Sequence, residues 1–184
     1  MLRRLSLLVG FMRALTFWKT VIVDQTNLLE SLIALLDENG IRYCVIGGQA
    51  VNAYVEPVVS LDLDLVVAIE QIELIESLLK DRFKVERFLH IINVSQSGSD
   101  LRVQIQTDPR YLSFLQRASF RTILGLRLPV AHLEDVLQGK IWAVMDPERR
   151  ASKRQKDLAD IARLLDTASE LRDRVPKEIL DRLL

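Results

Sequence analysis

The stretch that most restricts the fold is an apolar segment, Ile41-Arg42-Tyr43-Cys44-Val45-Ile46, running straight into Gly47-Gly48. Four-to-six-residue apolar runs of this kind read as buried strands, and two glycines let the backbone turn abruptly into a helix, expected from Gln49. A second strand follows, Leu61-Asp62-Leu63-Asp64-Leu65-Val66-Val67. Side chains alternate faces along a strand, so Asp62 and Asp64 share one face while the leucines take the other, with α-carbons about 6.5–7 Å apart. Both carboxylates can then reach one divalent cation through oxygen. A solvated face with two ordinary acids is the competing reading, and the glycine pair tips the balance towards chemistry, because free amides at a glycine-led helix start suit a phosphate.

The rest of the chain supplies a sheet and its cover. Asn27 and Glu30 have the spacing of a capping box, and Leu28, Leu29, Leu32, Ile33, Leu35 and Leu36 form a wide apolar helical stripe that Gly40 closes. Pro57 is expected to end the helix begun at Gln49. Helical period over Gln71–Lys80 predicts a covering helix, and Phe83–Phe88 with Leu89–Val94 predict two strands. A Ser97-Gly98-Ser99-Asp100 turn launches Leu101–Thr107, whose alternation sets Arg102, Gln104 and Gln106 on one face. Asp108 to Leu115 predicts a helical turn, Thr122–Val130 one further strand, and His132–Met145 a helix buried through Leu133, Val136, Leu137, Ile141 and Met145. Another helix opens at Lys156, and Pro176 starts a terminal one.

Composition narrows the class. Lys+Arg and Asp+Glu both number 25, so no overall field draws in nucleic acid and any such partner needs a local patch. Arg149, Arg150, Lys153, Arg154 and Lys156 form one, readable as a solvated basic loop or as a holder of triphosphate or RNA backbone. The one cysteine, Cys44, lies in an apolar strand and argues against a disulfide framework and for a reducing cytoplasm or no redox preference. No apolar run approaches the roughly 20 residues that span a bilayer, so integral membrane association is not expected. Arg3-Arg4 with Leu5–Met12 outlines the first parts of a signal peptide, but Arg13 interrupts it and no small-residue cleavage site follows. Residues 1–26 are therefore expected to be an extension, helical and amphipathic or preceding a start at Met12, and residues 27–184 a single domain with a helical C-terminal part.

Gly47-Gly48-Gln49-Ala50-Val51, a short helix, then Ser60-Leu61-Asp62-Leu63-Asp64-Leu65-Val66-Val67 resembles the signature of the DNA polymerase beta-type nucleotidyltransferase superfamily. The resemblance spans roughly Asn27 to Leu165 and is closest to the minimal nucleotidyltransferase and AbiEii-toxin-like branch. It implies an α/β fold, a mixed β-sheet flanked by helices with further helices at the C-terminus. It also implies nucleotidyl transfer from a nucleoside triphosphate to a hydroxyl on RNA, protein or a small molecule, with Mg2+ or Mn2+ held by Asp62 and Asp64. Gly47, Gly48 and Gln49 would bind the nucleotide, and a cytoplasmic toxin paired with a cognate antitoxin would be one setting.

Further positions follow from the same likeness. Lys140-Ile141-Trp142-Ala143 fits a pattern whose lysine reaches the phosphates, and Lys156-Asp157-Leu158-Ala159-Asp160-Ile161 fits another that places Lys156 and Asp160 near the site. A solvated Lys140, and an ion pair between Lys156 and Asp160 four residues apart, are the structural alternatives. The chain departs from the pattern at Gln104, where active relatives carry a third carboxylate. An amide oxygen can ligate magnesium but cannot take a proton from an attacking hydroxyl. Asp100 and Asp108 are each about 13 Å away along the strand. That departure raises a catalytically weakened nucleotide-binding or protein-interaction module as the alternative, or a base drawn from Asp157 or Asp160.

Overall fold

The computed structural model describes Asp24 and Thr26 to Leu183, so the expectations for the N-terminal segment lie outside the described residues. Helix α1 (Leu28–Glu38) buries all six of its predicted apolar positions. Its cap differs from the expected box. Asn27 adopts φ 51° and makes no side-chain cap, while Asp24 accepts from the Leu28 and Leu29 amides at 3.0 and 3.4 Å. The carboxylate four residues upstream reaches these orphan amides because the left-handed Asn27 turns the chain back over the helix start.

Strand β1 (Tyr43–Ile46) is buried throughout, and α2 (Gly47–Asn52) begins at Gly47 itself, two residues before the expected start. It ends at Asn52, well before Pro57. Asn52 brackets the following loop, donating to the Val58 carbonyl at 2.7 Å and accepting from the Val58 amide at 3.0 Å. Next come β2 (Asp62–Val67), α3 (Ile72–Lys80), β3 (Lys84–Arg87), β4 (Ile91–Ser95), β5 (Arg102–Gln106) and α4 (Leu112–Arg117). After them follow β6 (Ser119–Ile123), β7 (Leu126–Val130), α5 (Leu133–Met145), α6 (Ala151–Thr167) and α7 (Lys177–Leu180).

The seven strands form one mixed sheet in the order β3-β4-β5-β2-β1-β7-β6. The pairs β2–β5 and β1–β7 are parallel and the others antiparallel. Alternation does what the pattern demands: Leu63, Leu65, Val94, Val103 and Ile105 are fully buried on one face. Asp62, Asp64, Asn93 and Gln104 are left on the other. The single strand expected over Thr122–Val130 is instead the end of β6, a turn and the whole of β7, a hairpin with Ile123 paired to Leu126. Leu124 and Gly125 make its turn at φ 52° and 85°. Such a turn normally announces itself by Asn-Gly or Asp-Gly, and a leucine in the left-handed position hides it.

In α5 the expected apolar face shifts by part of a turn. Met145 is exposed, whereas Val144, Asp135 and Lys140 are buried. Helix α6 starts at Ala151, so Lys153, Arg154 and Lys156 ride on its first turns rather than on a solvated loop.

Candidate active site

Sheet register brings the key residues into one row. Ile46 is paired with Asp64, Asp64 with Gln104, Gln104 with Asn93, and Asn93 with Glu86. One step along, Asp62 faces Arg102. The row floors a cleft of about 660 Å3 walled on the far side by α5 and α6.

Gly47 and Asp64 touch. Gly47 sits at φ +66°, and a β-carbon there would lie 2.0 Å from Asp64 Oδ2. The carboxylate therefore lies flat against the turn, and both the positive φ and the approach require glycine. Gly48 is different, since a β-carbon on it would meet only Ser60 Oγ at 3.7 Å and Lys156 Nζ at 3.9 Å, ordinary contact. Burial pushes the Asp64 carboxyl up, opposed by Lys140 and reinforced by the neighbouring Asp62. Asp62 is held by two cations: Arg102 Nη2 is 3.0 Å from its Oδ1 and Lys153 Nζ 3.1 Å from its Oδ2.

Gln104 donates through Nε2 to Asn93 Oδ1 at 3.1 Å. Among the described residues no group of three or more His, Cys, Asp or Glu side chains is arranged to hold a metal. Asp62, Asp64 and the Gln104 amide oxygen are all hard oxygen donors on adjacent paired strands, a set that suits magnesium or manganese and not a soft cation. Asp64, desolvated and beside a second acid, is the group with most to gain from such an ion.

The remaining predicted residues divide into cleft and support. Lys156 faces the cleft, its Nζ 3.4 Å from Ser60 Oγ beside Gly48. It does not pair with Asp160. Gln49 is 1% exposed and donates to the Ser60 carbonyl at 2.9 Å, so it fixes the loop that enters β2. Lys140 is not solvated. It bridges α5 to α6 with Nζ 2.8 Å from Asp157 Oδ1 and 2.6 Å from Asp160 Oδ2, the latter an ion pair off the hydrogen-bond direction. Burial pulls its ammonium down, and Asp160 and Asp157 outweigh that, holding it above the usual lysine range. Asp157 also accepts from Arg149 Nε and Nη2 at 2.9 and 2.7 Å, and Asp160 from Arg163 at 2.9 Å. Both acids are saturated by cations and 2% exposed, which disqualifies them as a base for an incoming hydroxyl.

Sequence reasoning missed Arg102 as a partner of Asp62, because only the β2–β5 register reveals it. It also missed that Tyr111 and Phe114 reach the cleft; their rings pack on each other at 5.2 Å and on Trp142 behind them at 5.3 and 5.8 Å between centroids.

Solved structures share this overall fold at low sequence identity. One, "Crystal Structure of ANT(2")-Ia in complex with adenylyl-2"-tobramycin", is 16% identical over 87% of this chain and 99% of the other, with a TM-score of 0.59. The fold is the nucleotidyltransferase fold. A solution structure of the antibiotic-resistance factor ANT(2'')-Ia matches over 82% and 92% of the two chains at 15% identity and a TM-score of 0.54. The lincomycin-bound lincosamide antibiotic adenylyltransferase LnuA matches over 77% and 99% at 11% identity and a TM-score of 0.53. No family model and no curated protein matches the sequence. No helix among the described residues is long and apolar enough to cross a membrane.

Proposed function

We propose that this protein transfers a nucleotidyl group from a nucleoside triphosphate to an acceptor hydroxyl. The observation that carries the proposal is the contact of Asp64 with the Gly47 turn, in a cleft whose opposite wall presents Arg149, Lys153 and Lys156. In this reading Asp62 and Asp64, with the Gln104 amide oxygen, hold magnesium or manganese, which when bound neutralises charge on the triphosphate and on departing pyrophosphate. The Gly47 and Gly48 amides and Lys156 hold phosphate oxygens. Lys153 leaves Asp62 for the triphosphate as nucleotide enters. Lys140 acts through Asp157, which presents Arg149 to the cleft. Gln104 orients the acceptor hydroxyl without removing its proton; as the acceptor oxygen bonds to the α-phosphorus and the bond to pyrophosphate breaks, that proton passes to solvent or to the departing pyrophosphate.

The test is incubation with each labelled triphosphate, magnesium and candidate acceptors. Transfer that disappears in Asp62→Ala/Asp64→Ala supports the proposal, and labelling equal to that control contradicts it. The two glycines separate fold from binding. Gly47→Ala is expected to cost at least about 2 kcal/mol, from the left-handed φ and the clash with Asp64, and to lower the melting temperature. Gly48→Ala should melt like wild type while binding magnesium–ATP about tenfold more weakly by calorimetry, since its methyl occupies only the space beside Lys156 and Ser60.

The raised Asp64 carboxyl gives a pH dependence. Its folded value lies above the ordinary carboxylate value of 3.8, so its contribution to metal-free stability is complete below that pH and is lost as pH rises through the folded value. A bound divalent cation favours the ionised form and offsets that loss. The rise in melting temperature produced by manganese should therefore be larger at pH 7.5 than at pH 4.5, read by scanning fluorimetry.

A second reading is motivated by Gln104: a domain that binds nucleotide and turns it over weakly, acting as a binding or interaction module. Calorimetric binding of ATP or GTP without incorporation would favour it. The toxin setting with a cognate antitoxin rests on resemblance to the AbiEii-toxin-like branch, to which the Lys156-to-Asp160 pattern adds, and a partner co-purifying with the natively expressed chain would support it.

A further inference from the structure

We infer that the acceptor is a small, neutral, polyhydroxylated molecule, such as a glycoside, read by the amide side chains of β4 and β5. This rests on the nucleotidyl-transfer reading and deepens it. In-line displacement places the attacking hydroxyl opposite the leaving pyrophosphate. With phosphates at Gly48, Lys153 and Lys156, the acceptor comes from the far side of Asp62 and Asp64, over β5 and β4. That wall presents Asn93, Ser95, Gln104 and Gln106.

Their hydrogen bonds leave a pattern suited to hydroxyls. Gln104 Nε2 donates to Asn93 Oδ1, which leaves Asn93 Nδ2 to donate, and the two lone pairs of Gln104 Oε1 allow it to accept from a hydroxyl while facing the cation. Gln106 Oε1 takes the Thr107 and Asp108 amides at 3.0 and 3.2 Å, leaving its Nε2 to donate. Neighbouring donor and acceptor sites satisfy both halves of a hydroxyl, and adjacent hydroxyls on a sugar ring fit such a row.

The charges around the wall argue against polyamines and polyanions alike. Glu86, the acid at its edge, is paired with Lys84 at 2.8 Å, and Arg102 is engaged with Asp62. Across the cleft Asp146 and Glu148 are followed by Arg150 and by Arg149, which is itself engaged with Asp157. A polycationic acceptor would meet no unpaired acid on the amide wall and an RNA backbone no unpaired cation there. A hydroxyl-rich neutral molecule needs neither.

The test uses the purified protein with magnesium and a non-hydrolysable ATP analogue, whose binding is first measured by calorimetry. Saturation-transfer NMR is then run with methyl glucoside and methyl riboside, with tobramycin, and with a short oligoribonucleotide. The expected result is contact with the neutral glycosides, weakened about tenfold or more in Asn93→Ala and Gln106→Ala, with nucleotide affinity unchanged in Gln106→Ala. Asn93→Asp, nearly isosteric, keeps the test open if the alanine variants unfold: it should weaken glycoside contact and strengthen tobramycin contact. Tighter contact with tobramycin or the oligoribonucleotide in wild type, or no glycoside contact with nucleotide loaded, overturns the inference. Failure of the ATP analogue to bind instead removes the nucleotidyl-transfer reading, and the acceptor inference with it.

Discussion

Gln104→Asp is expected to raise the rate of nucleotidyl transfer by about 10²- to 10⁴-fold and to tighten binding of a divalent cation. Gln104 is paired directly with Asp64 across adjacent parallel strands, so a carboxylate there joins Asp62 and Asp64 on one face. It adds the charge that an amide lacks and a group able to take the proton of the attacking hydroxyl. The one protein contact it forfeits is the 3.1 Å bond to Asn93, whose amide can turn to donate instead. Single-turnover rates with a labelled triphosphate, together with manganese titrations, measure both effects. An unchanged or lower rate in an active enzyme would mean that the three-acid scheme does not apply to this chain. Asp157 and Asp160 could not then rescue it, because both are buried in ion pairs.

Lys140→Met should cost about 3–5 kcal/mol and lower the melting temperature by about 6–20 °C. The substitution leaves the Asp157 and Asp160 carboxylates, each 2% exposed, without the ammonium that neutralises them. Arg149 and Arg163 remain and soften the loss, which places the expectation at the lower end. Because the folded lysine lies above its ordinary value of 10.5, its contribution is complete below that pH and fades only as pH rises through the folded value. The wild-type advantage should therefore be constant from pH 6 to 9. A melting temperature within about 2 °C of wild type would show that the cluster contributes little to stability.

Much of this was legible because strand alternation is a strong constraint. Asp62 and Asp64 on one face of β2, Gln104 on the matching face of β5, and the glycine turn ahead of them all follow from period two and from glycine's freedom. What escaped were properties of register and of the third dimension. That Arg102 guards Asp62 depends on a pairing offset between strands some forty residues apart. Lys140 falls between Val136 and Val144 on the apolar face of α5, but lysine is usually solvated, and only the packing of α5 on α6 supplies Asp157 and Asp160 as the partners of a buried bridge. The β6–β7 hairpin was hidden by Leu124, which occupies a backbone region leucine seldom adopts. Asp24 took over the α1 cap because Asn27 was diverted into the turn itself.

The central claim, that Asp62 and Asp64 form one cation site working together with the triphosphate, is tested most directly by titrating manganese into the protein with and without ATP, followed by electron paramagnetic resonance. Arg102 and Lys153 engage both oxygens of Asp62, so manganese alone should bind weakly. ATP is expected to draw Lys153 away, to add oxygen ligands and to tighten manganese binding to the protein at least tenfold, an enhancement absent from Asp62→Ala/Asp64→Ala. Manganese binding that is indifferent to ATP, or that survives loss of both aspartates, would contradict the assignment.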